Sequence, residues 1–414
     1  MFGYAAKCFK NSYKRFLPFQ SNSRKWQFSA LVPFSTDSSS DVKSKLQNEK
    51  GEIVNKSPKT GILLLNMGGP GSLNEVQDFL ERLFTDEDIM SLPMQKILGP
   101  LIAKRRTPKI AERYKQIGGG SPIRSWTDKQ GLLLTNLLDK ISPKTAPHKH
   151  YIGFRYAHPL TENTLDEIER EGPMRMVAFS QYPQYSCSTS GSSLNAMYRY
   201  YHSKNFLSKV KWSFIDRWSM NLGLVEVFSQ LICTELEKFP KDARENVVLL
   251  FSAHSSPMKA VNRGDTYSIE VASTVLRVME RLEWKYPYRL VWQSKVGPIP
   301  WLGPQTDVAM KAFVSKGYKS FLVIPISFVN EHIETLHELD IEYGQELGKE
   351  IGVEHFRRVP TPNDHPIFIK ALAELVKNHL EVGEIYSPQL LLRCPLCENP
   401  VCHNMRNWLK SLNL

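Results

Sequence analysis

Two stretches of this chain repeat one design, and the repetition narrows the fold more than any other feature. Apolar, β-branched runs at 61–66 and 246–252 each end in a polar turn, at 67–71 and 253–257. Later in each half a second apolar run, at 175–180 and 320–326, leads into a polar stretch containing serine. Continuous apolar runs without alternation belong to strands buried on both faces. Helical periods separate the strands, over 161–171, 224–239, 268–282 and 306–316, with further strands at 150–155, 209–216 and 288–293. This order predicts an α/β protein of two similar Rossmann-like lobes, each a parallel sheet flanked by helices, with a cleft between them. The length of 414 residues allows each lobe a core of its own.

The turn after the first strand, Met67-Gly68-Gly69-Pro70-Gly71, resembles a nucleotide-binding turn without its G-x-G-x-x-G spacing, and no acid suited to a ribose follows. Ser72 and Glu75 have capping-box spacing. From Ser91 to Arg106 the apolar residues Met94, Ile97, Leu98, Leu101 and Ile102 share one helical face ending in Lys104-Arg105-Arg106. An apolar stripe with a cationic end suits either a membrane surface or a protein core. Gly118-Gly119-Gly120 then precedes a helix with Ser121 at its N-cap and Pro122 first inside it. Arg106, Lys109, Arg113 and Tyr114 lie just upstream, a setting for a ligand bearing carboxylates.

The stretch 321–343 carries the densest chemistry. An apolar strand turns polar at Ser327 and is expected to become helical there. Glu334, Glu338 and Glu342 recur every four residues, with His332 just before them. An α-helix stacks such a row on one face, at a cost in repulsion unless protons or cations neutralise it. His254 ends the first strand of the same half. If the two strands are neighbours, His254 and Glu334 face each other, able to bind a divalent cation or move protons.

The tail holds Cys394, Cys397 and Cys402, a C-x2-C-x4-C set that needs a fourth ligand. His403 would complete a zinc site and Cys187 a set of four thiolates, and spacing does not choose between them. Cys233, beside an apolar helix face, reads as a packed thiol.

Residues 1–36 carry six basic residues and no acid, without an apolar signal core, as in a mitochondrial presequence. Setting those six aside from the formal +11 leaves +5, too little to indicate nucleic acid as a partner. No apolar run is long enough to span a membrane. The chain thus divides into a transit peptide and linker at 1–54, an N-terminal lobe at 55–220, a C-terminal lobe at 221–382 and a Cys-rich extension at 383–414.

Six motifs together resemble one family. They are Leu-Leu-Asn-Met-Gly-Gly-Pro at 64–70, Lys-Arg-Arg-Thr-Pro-Lys-Ile at 104–110, Gly-Gly-Gly-Ser-Pro-Ile at 118–123, Gln-Tyr-Pro-Gln-Tyr-Ser-Cys-Ser-Thr at 181–189, Phe-Ser-Ala-His-Ser at 251–255 and His-Ile-Glu-Thr-Leu at 332–336. In this order they are similar to ferrochelatase of the animal, mitochondrial type. The resemblance implies insertion of Fe2+ into protoporphyrin IX, giving protohaem in the last step of haem synthesis. It implies His254 at the pyrrole face, Glu334 as its acidic partner, and Glu338 and Glu342 behind. It matches Arg106, Tyr114 and Ser121 to porphyrin contacts, and Met67, Arg155, Tyr156 and Trp301 to the pocket lining. It further implies a [2Fe–2S] cluster on Cys187, Cys394, Cys397 and Cys402, a homodimer, and peripheral contact of the 91–102 lip with the matrix side of the mitochondrial inner membrane. Three positions depart from the family pattern: Asn221 where some members have a proposed metal-assisting His, Glu374 for a common Asp, and Val329-Asn330-Glu331 for Thr-Ser-Asp. The competing readings are a porphyrin or haem sensor that does no chemistry, and a chelatase for another tetrapyrrole and metal such as cobalt.

Overall fold

A computed structural model describes residues 58–90, 93–204 and 208–412. The presequence and nearly all of the linker lie outside the described residues, as do Ser91 and Leu92 of the expected lip.

The first lobe runs β1 (Thr60–Asn66), α1 (Val76–Thr85), α2 (Gln95–Gln116), α3 (Ile123–Ile141), β2 (His148–Phe154), α4 (Thr161–Glu171), β3 (Arg175–Ser180), α5 (Ser192–Ser203) and β4 (Lys211–Ile215). After α6 (Leu222–Leu236) the second runs β5 (Val248–His254), α7 (Met258–Asn262), α8 (Tyr267–Arg281), β6 (Tyr288–Gln293), α9 (Thr306–Val314), β7 (Ser320–Pro325), a π-helix (Glu334–Leu347), α10 (Gly348–Ile351), β8 (His355–Arg358) and α11 (Pro366–Val382). The tail ends in α12 (Pro400–Ser411). Both sheets are parallel throughout, and their orders, β2-β1-β3-β4 and β6-β5-β7-β8, are the same pattern repeated.

Strand periodicity decides where each side chain goes. Ile62, Leu64, Val177 and Phe179 face inward to the same core as Leu249, Phe251, Leu322 and Ile324 of the other sheet. Helices α3, α6, α8 and α11 fill the space between them, through Leu134, Phe228, Val275 and Phe368 among others. The opposite faces, Leu63, Leu65 and Met176 in one sheet and Val248, Leu250 and Val323 in the other, pack on separate outer layers. The two lobes therefore do not have wholly separate cores: one apolar layer, shared between the sheets, joins them.

Several local expectations need correction. Glu75 accepts the Gly71 N–H at 3.0 Å and the Ser72 hydroxyl at 3.3 Å, so the capping box closes one residue early. Helix α2 continues ten residues past Arg106, through Pro108. The Lys104 carbonyl that Pro108 leaves without a helical donor belongs to an exposed residue, where water can serve it. The cap of α3 shifts by one residue: Pro122 precedes the helix, and the Ser121 N–H bonds the Pro70 carbonyl at 2.7 Å. Asn221 caps α6, accepting from Gly223 and Leu224 N–H at 2.9 and 3.1 Å, which gives this departure a structural role.

The largest difference is at 334–347. The expected α-helix is a π-helix, with hydrogen bonds reaching one residue further. A four-residue repeat fits both helices nearly as well, so periodicity alone could not separate them. The tail packs more extensively than a Cys-rich extension alone implies. Met405 and Leu409 of α12 pack with Tyr201, Trp212 and Phe214, and the Phe214 N–H bonds the Ile385 carbonyl at 2.6 Å. Apolar packing holds the tail to the body through these contacts.

Candidate active site

Parallel pairing of β5 with β7 brings the two candidate strand ends together. His254 is the last residue of β5, and His332 and Glu334 follow the turn after β7. His254 Nε2 stands 3.6 Å from Glu334 Oε1, and His332 Nε2 stands 3.3 Å from Glu334 Oε2. The His254 and Glu334 side chains are 38% and 25% exposed, so a ligand can reach both.

Hydrogen bonding assigns the imidazole roles. His254 Nδ1 lies 2.6 Å from the Ser255 carbonyl, which can only accept. Nδ1 therefore carries the proton, and the neutral ring keeps its lone pair on Nε2, on the side facing Glu334. A lone pair facing a carboxylate across 3.6 Å is a place for a proton or cation, not a closed hydrogen bond. His332 donates from Nε2 to Glu334, while its buried Nδ1 has no partner among the described residues. Burial raises the Glu334 pKa, but attraction to the cationic forms of His254 and His332 overrides it and holds the carboxyl at about 2.

This depression has a testable sign. A carboxylate whose folded pKa lies below its ordinary 4.5 stabilises the fold above pH 4.5, and that stability is lost as pH falls towards 2. The contribution is about 3 kcal/mol at most. Urea unfolding of Glu334→Gln should therefore show a flatter loss of stability between pH 4.5 and 2 than the parent. Parallel acid limbs in the two proteins would remove this role.

The acidic row is given donors residue by residue. Glu338 accepts from the Ser294 N–H at 2.7 Å, the Ser294 hydroxyl, Gln293 at 3.2 Å and the Tyr343 hydroxyl at 3.0 Å. Glu342 pairs with Arg113 of α2 and lies 3.6 Å from His337, which bonds Gln116. These pairings anchor the π-helix to the C-terminal end of α2.

The remaining expected residues fall into two groups. Trp301 stands with its ring centre 6.4 Å from that of His254. Tyr114 is buried and its phenol pKa is raised, by burial and then by the Glu334 charge. The Met67 N–H donates to the Tyr182 hydroxyl at 2.7 Å, and burial and Glu334 raise the Tyr182 phenol likewise. Tyr182 escaped sequence reasoning as a separate site residue, although it lies in the 181–189 motif. Ser121 packs so tightly on the Met67–Gly71 turn that a Cβ on Gly69 would lie 2.6 Å from its hydroxyl oxygen. Arg106 stacks over the Phe84 ring at 5.4 Å, its pKa lowered by burial and by Arg113.

Arg155 and Tyr156 form the second group. Both bond Asp86 Oδ2 at 2.6 Å; Tyr156 is buried and the Arg155 side chain is 10% exposed. Asp88, two residues on, is 2% exposed and accepts from Asn195 at 3.0 Å, Arg199, and Asn399 of the tail at 2.9 Å. These two acids sit in the turn between α1 and α2, whose Met94, Ile97 and Leu101 are 69%, 62% and 59% exposed.

The tail cysteines approach the loop of Cys187. Burial raises the Cys187 thiol well above its ordinary pKa, with Asp265 adding to the rise, Arg263 opposing it and Cys394 contributing. Burial also raises Cys394 and Cys402, each in the field of Arg406 and of the neighbouring thiols. His403 instead bonds Asn407 along its own helix at 3.3 Å. Among the described residues no three His, Cys, Asp or Glu side chains converge in metal-ligating geometry. The donor chemistry nonetheless suits a thiolate-bound group: three tail thiols, Cys402 among them on α12, and the Cys187 thiol, with the Arg263 and Arg406 guanidiniums in their field. A hollow of about 510 Å³, lined by Met258, Arg263, Ile299 and Leu396, lies between this tail and the Trp301 loop rather than over the His254–Glu334 pair.

Comparison with known proteins agrees with the resemblance in the motifs. The Ferrochelatase family model matches residues 59–380. The protein named ferrochelatase, mitochondrial, in Homo sapiens is 59% identical over 359 residues, covering 87% of this chain and 85% of that protein. Its namesake in Drosophila melanogaster is 57% identical over 360 residues, covering 87% and 94%. That of Dictyostelium discoideum is 48% identical over 381 residues, covering 86% and 90%. With the family match spanning both sheets, and relatives this similar along nearly their whole lengths, the chain belongs to the ferrochelatase family.

Proposed function

We propose that this protein inserts Fe2+ into protoporphyrin IX, giving protohaem and releasing two protons, at the end of haem synthesis in the mitochondrion. One observation carries the reading: an imidazole whose tautomer is fixed by the Ser255 carbonyl presents Nε2 beside an anionic Glu334. Metallation needs two pyrrole protons removed and the nitrogen lone pairs exposed by bending the ring. An apolar pocket favours the bent form by drawing on binding energy from the rest of the macrocycle. Met67, Tyr114 and Trp301 would supply that surface, with Arg106 and Ser121 towards the propionates and Arg155 and Tyr156 as a wall braced by Asp86.

His254 Nε2 accepts a pyrrole proton, and Glu334 stabilises the imidazolium that forms. Glu338 and Glu342, each held by its own donors, act as fixed charges behind them. Cys187, Cys394, Cys397 and Cys402 would hold the [2Fe–2S] cluster, which supplies one-electron chemistry and ties the tail to the body. The exposed face of α2 suits peripheral contact with the matrix side of the inner membrane; no described helix is long and apolar enough to cross one. Ile269 and Leu276, exposed on α8, suit a second copy of the chain in a homodimer. The transit peptide and linker at 1–54 and the lobes and extension bounded at 220 and 382 remain part of this reading.

The test is anaerobic incubation of purified protein with protoporphyrin IX and Fe2+. Porphyrin fluorescence should fall as haem absorption rises, in a sample already red-brown from its cluster. Porphyrin binding without metal insertion would favour the sensor, and a colourless sample would rule out the cluster.

A further inference from the structure

Three residues between α7 and α8, Arg263, Gly264 and Asp265, touch both sets of cysteines. On one side is a short π-turn at Cys187–Gly191. Asp265 Oδ2 accepts the Ser186 hydroxyl at 3.0 Å and the Cys187 N–H at 2.8 Å. Asp265 is buried, and its other oxygen accepts the Tyr267 N–H at 2.9 Å. Both oxygens thus serve as acceptors, which a carboxylate can do and an amide cannot. On the other side is the tail. The Cys397 N–H bonds the Cys394 carbonyl at 3.0 Å, closing a four-residue turn with Pro395 at the position turns favour. Leu396, next in that turn, donates its N–H to the Arg263 carbonyl at 3.2 Å. Gly264 lies against the same turn: its φ is +101°, and a Cβ there would stand 2.6 Å from Pro395 Cδ. The three residues are themselves tied to α7, where the Arg263 and Asp265 N–H groups bond the Lys259 and Ala260 carbonyls, both at 3.2 Å.

We propose that Arg263–Asp265 is a clasp for the cluster, with Asp265 and Gly264 as positioning residues that set the Cys187 turn beside the Cys394–Cys397 turn and leave the thiols only to close on iron. The proposal rests on these cysteines holding the [2Fe–2S] cluster. Residues 263 and 265 are close neighbours on the chain, so their contacts fix two distant segments to one small support. Ligand loops anchored in this way lose less freedom when metal binds, and the groups behind them help decide how long the metal stays. The clasp needs a residue without Cβ at 264, because a side chain there meets Pro395 and the backbone is left-handed.

Gly264→Ala in the full-length protein adds one methyl against Pro395. The visible cluster absorption, followed in the presence of EDTA, should decay about tenfold faster than in the parent, with less acid-labile sulfide per chain. Asp265→Asn should act likewise from the other side, since an amide offers one acceptor oxygen where two are used. Adding Pro395→Ala to Gly264→Ala removes the ring that the methyl meets. Measured against Pro395→Ala alone, the pair should recover most of the retention, which a merely strained backbone at 264 would not do. If Gly264→Ala does not fold, Asp265→Asn carries the test. Decay within twofold of the parent in the folded single variants, or no recovery on adding Pro395→Ala, overturns the proposal. The parent separates two failures: without colour or acid-labile sulfide, the cluster reading falls and the clasp with it. A red-brown parent whose variants keep the cluster equally long removes only the clasp.

Discussion

His254→Ala is expected to lower kcat roughly 10²–10⁴-fold while protoporphyrin IX still binds, because the loss falls on proton removal and not on ring contacts. Glu334→Gln should lose less at neutral pH, since the amide keeps the shape but cannot stabilise the imidazolium. Glu334, held at about 2, is ionised throughout the working range, so its own protonation does not enter the comparison. Near-normal turnover in both variants would end the assignment.

Arg358→Met is expected to destabilise the fold by about 3–5 kcal/mol. Arg358 ends β8, and its guanidinium bridges two acids, bonding Glu331 at 2.9 Å and Asp340 at 2.6 and 2.8 Å. Glu331 is buried and the Arg358 side chain is 10% exposed, the Glu331 pKa held below its ordinary value by Arg358 against burial. Methionine would leave Glu331 charged in the interior and free one side of the π-helix. Glu331 also accepts from Thr335 and the Thr361 N–H, so the departure from Asp has a full set of partners here. Chemical unfolding measures the loss, and adding Glu331→Gln and Asp340→Asn should return part of it, because the stranded charges are gone. A variant as stable as the parent would mean the bridge is matched by its own desolvation.

Residue patterns made the frame legible where runs were long and sharply bounded. Strand β3, strand β6 and helix α4 lie where their sequences placed them, since an apolar run between polar turns has few alternatives. Strand β8 was not seen because His355–Arg358 is short and largely charged, and only its edge pairing with β7 makes it a strand. The His254–Glu334 encounter could be anticipated from two strand ends, but required the β5–β7 pairing to be realised. The partners of Glu338 and Glu342 could not be foreseen, since Ser294 and Arg113 come from distant stretches with no pattern linking them. Nor could the convergence of Arg155 and Tyr156 on Asp86, some seventy residues earlier, which no spacing encodes.

Asp88 joins parts of the molecule that seem unrelated. Asn399, which supplies one of its donors, also caps the helix bearing Cys402. Clipping the chain just ahead of Asn399 would thus do more than discard the Cys402 thiol: it would leave Asp88 only Asn195 and Arg199 of its three donors, at the root of the greasy α2 surface. On the membrane contact proposed above, a chain so truncated should bind lipid vesicles more weakly than the parent.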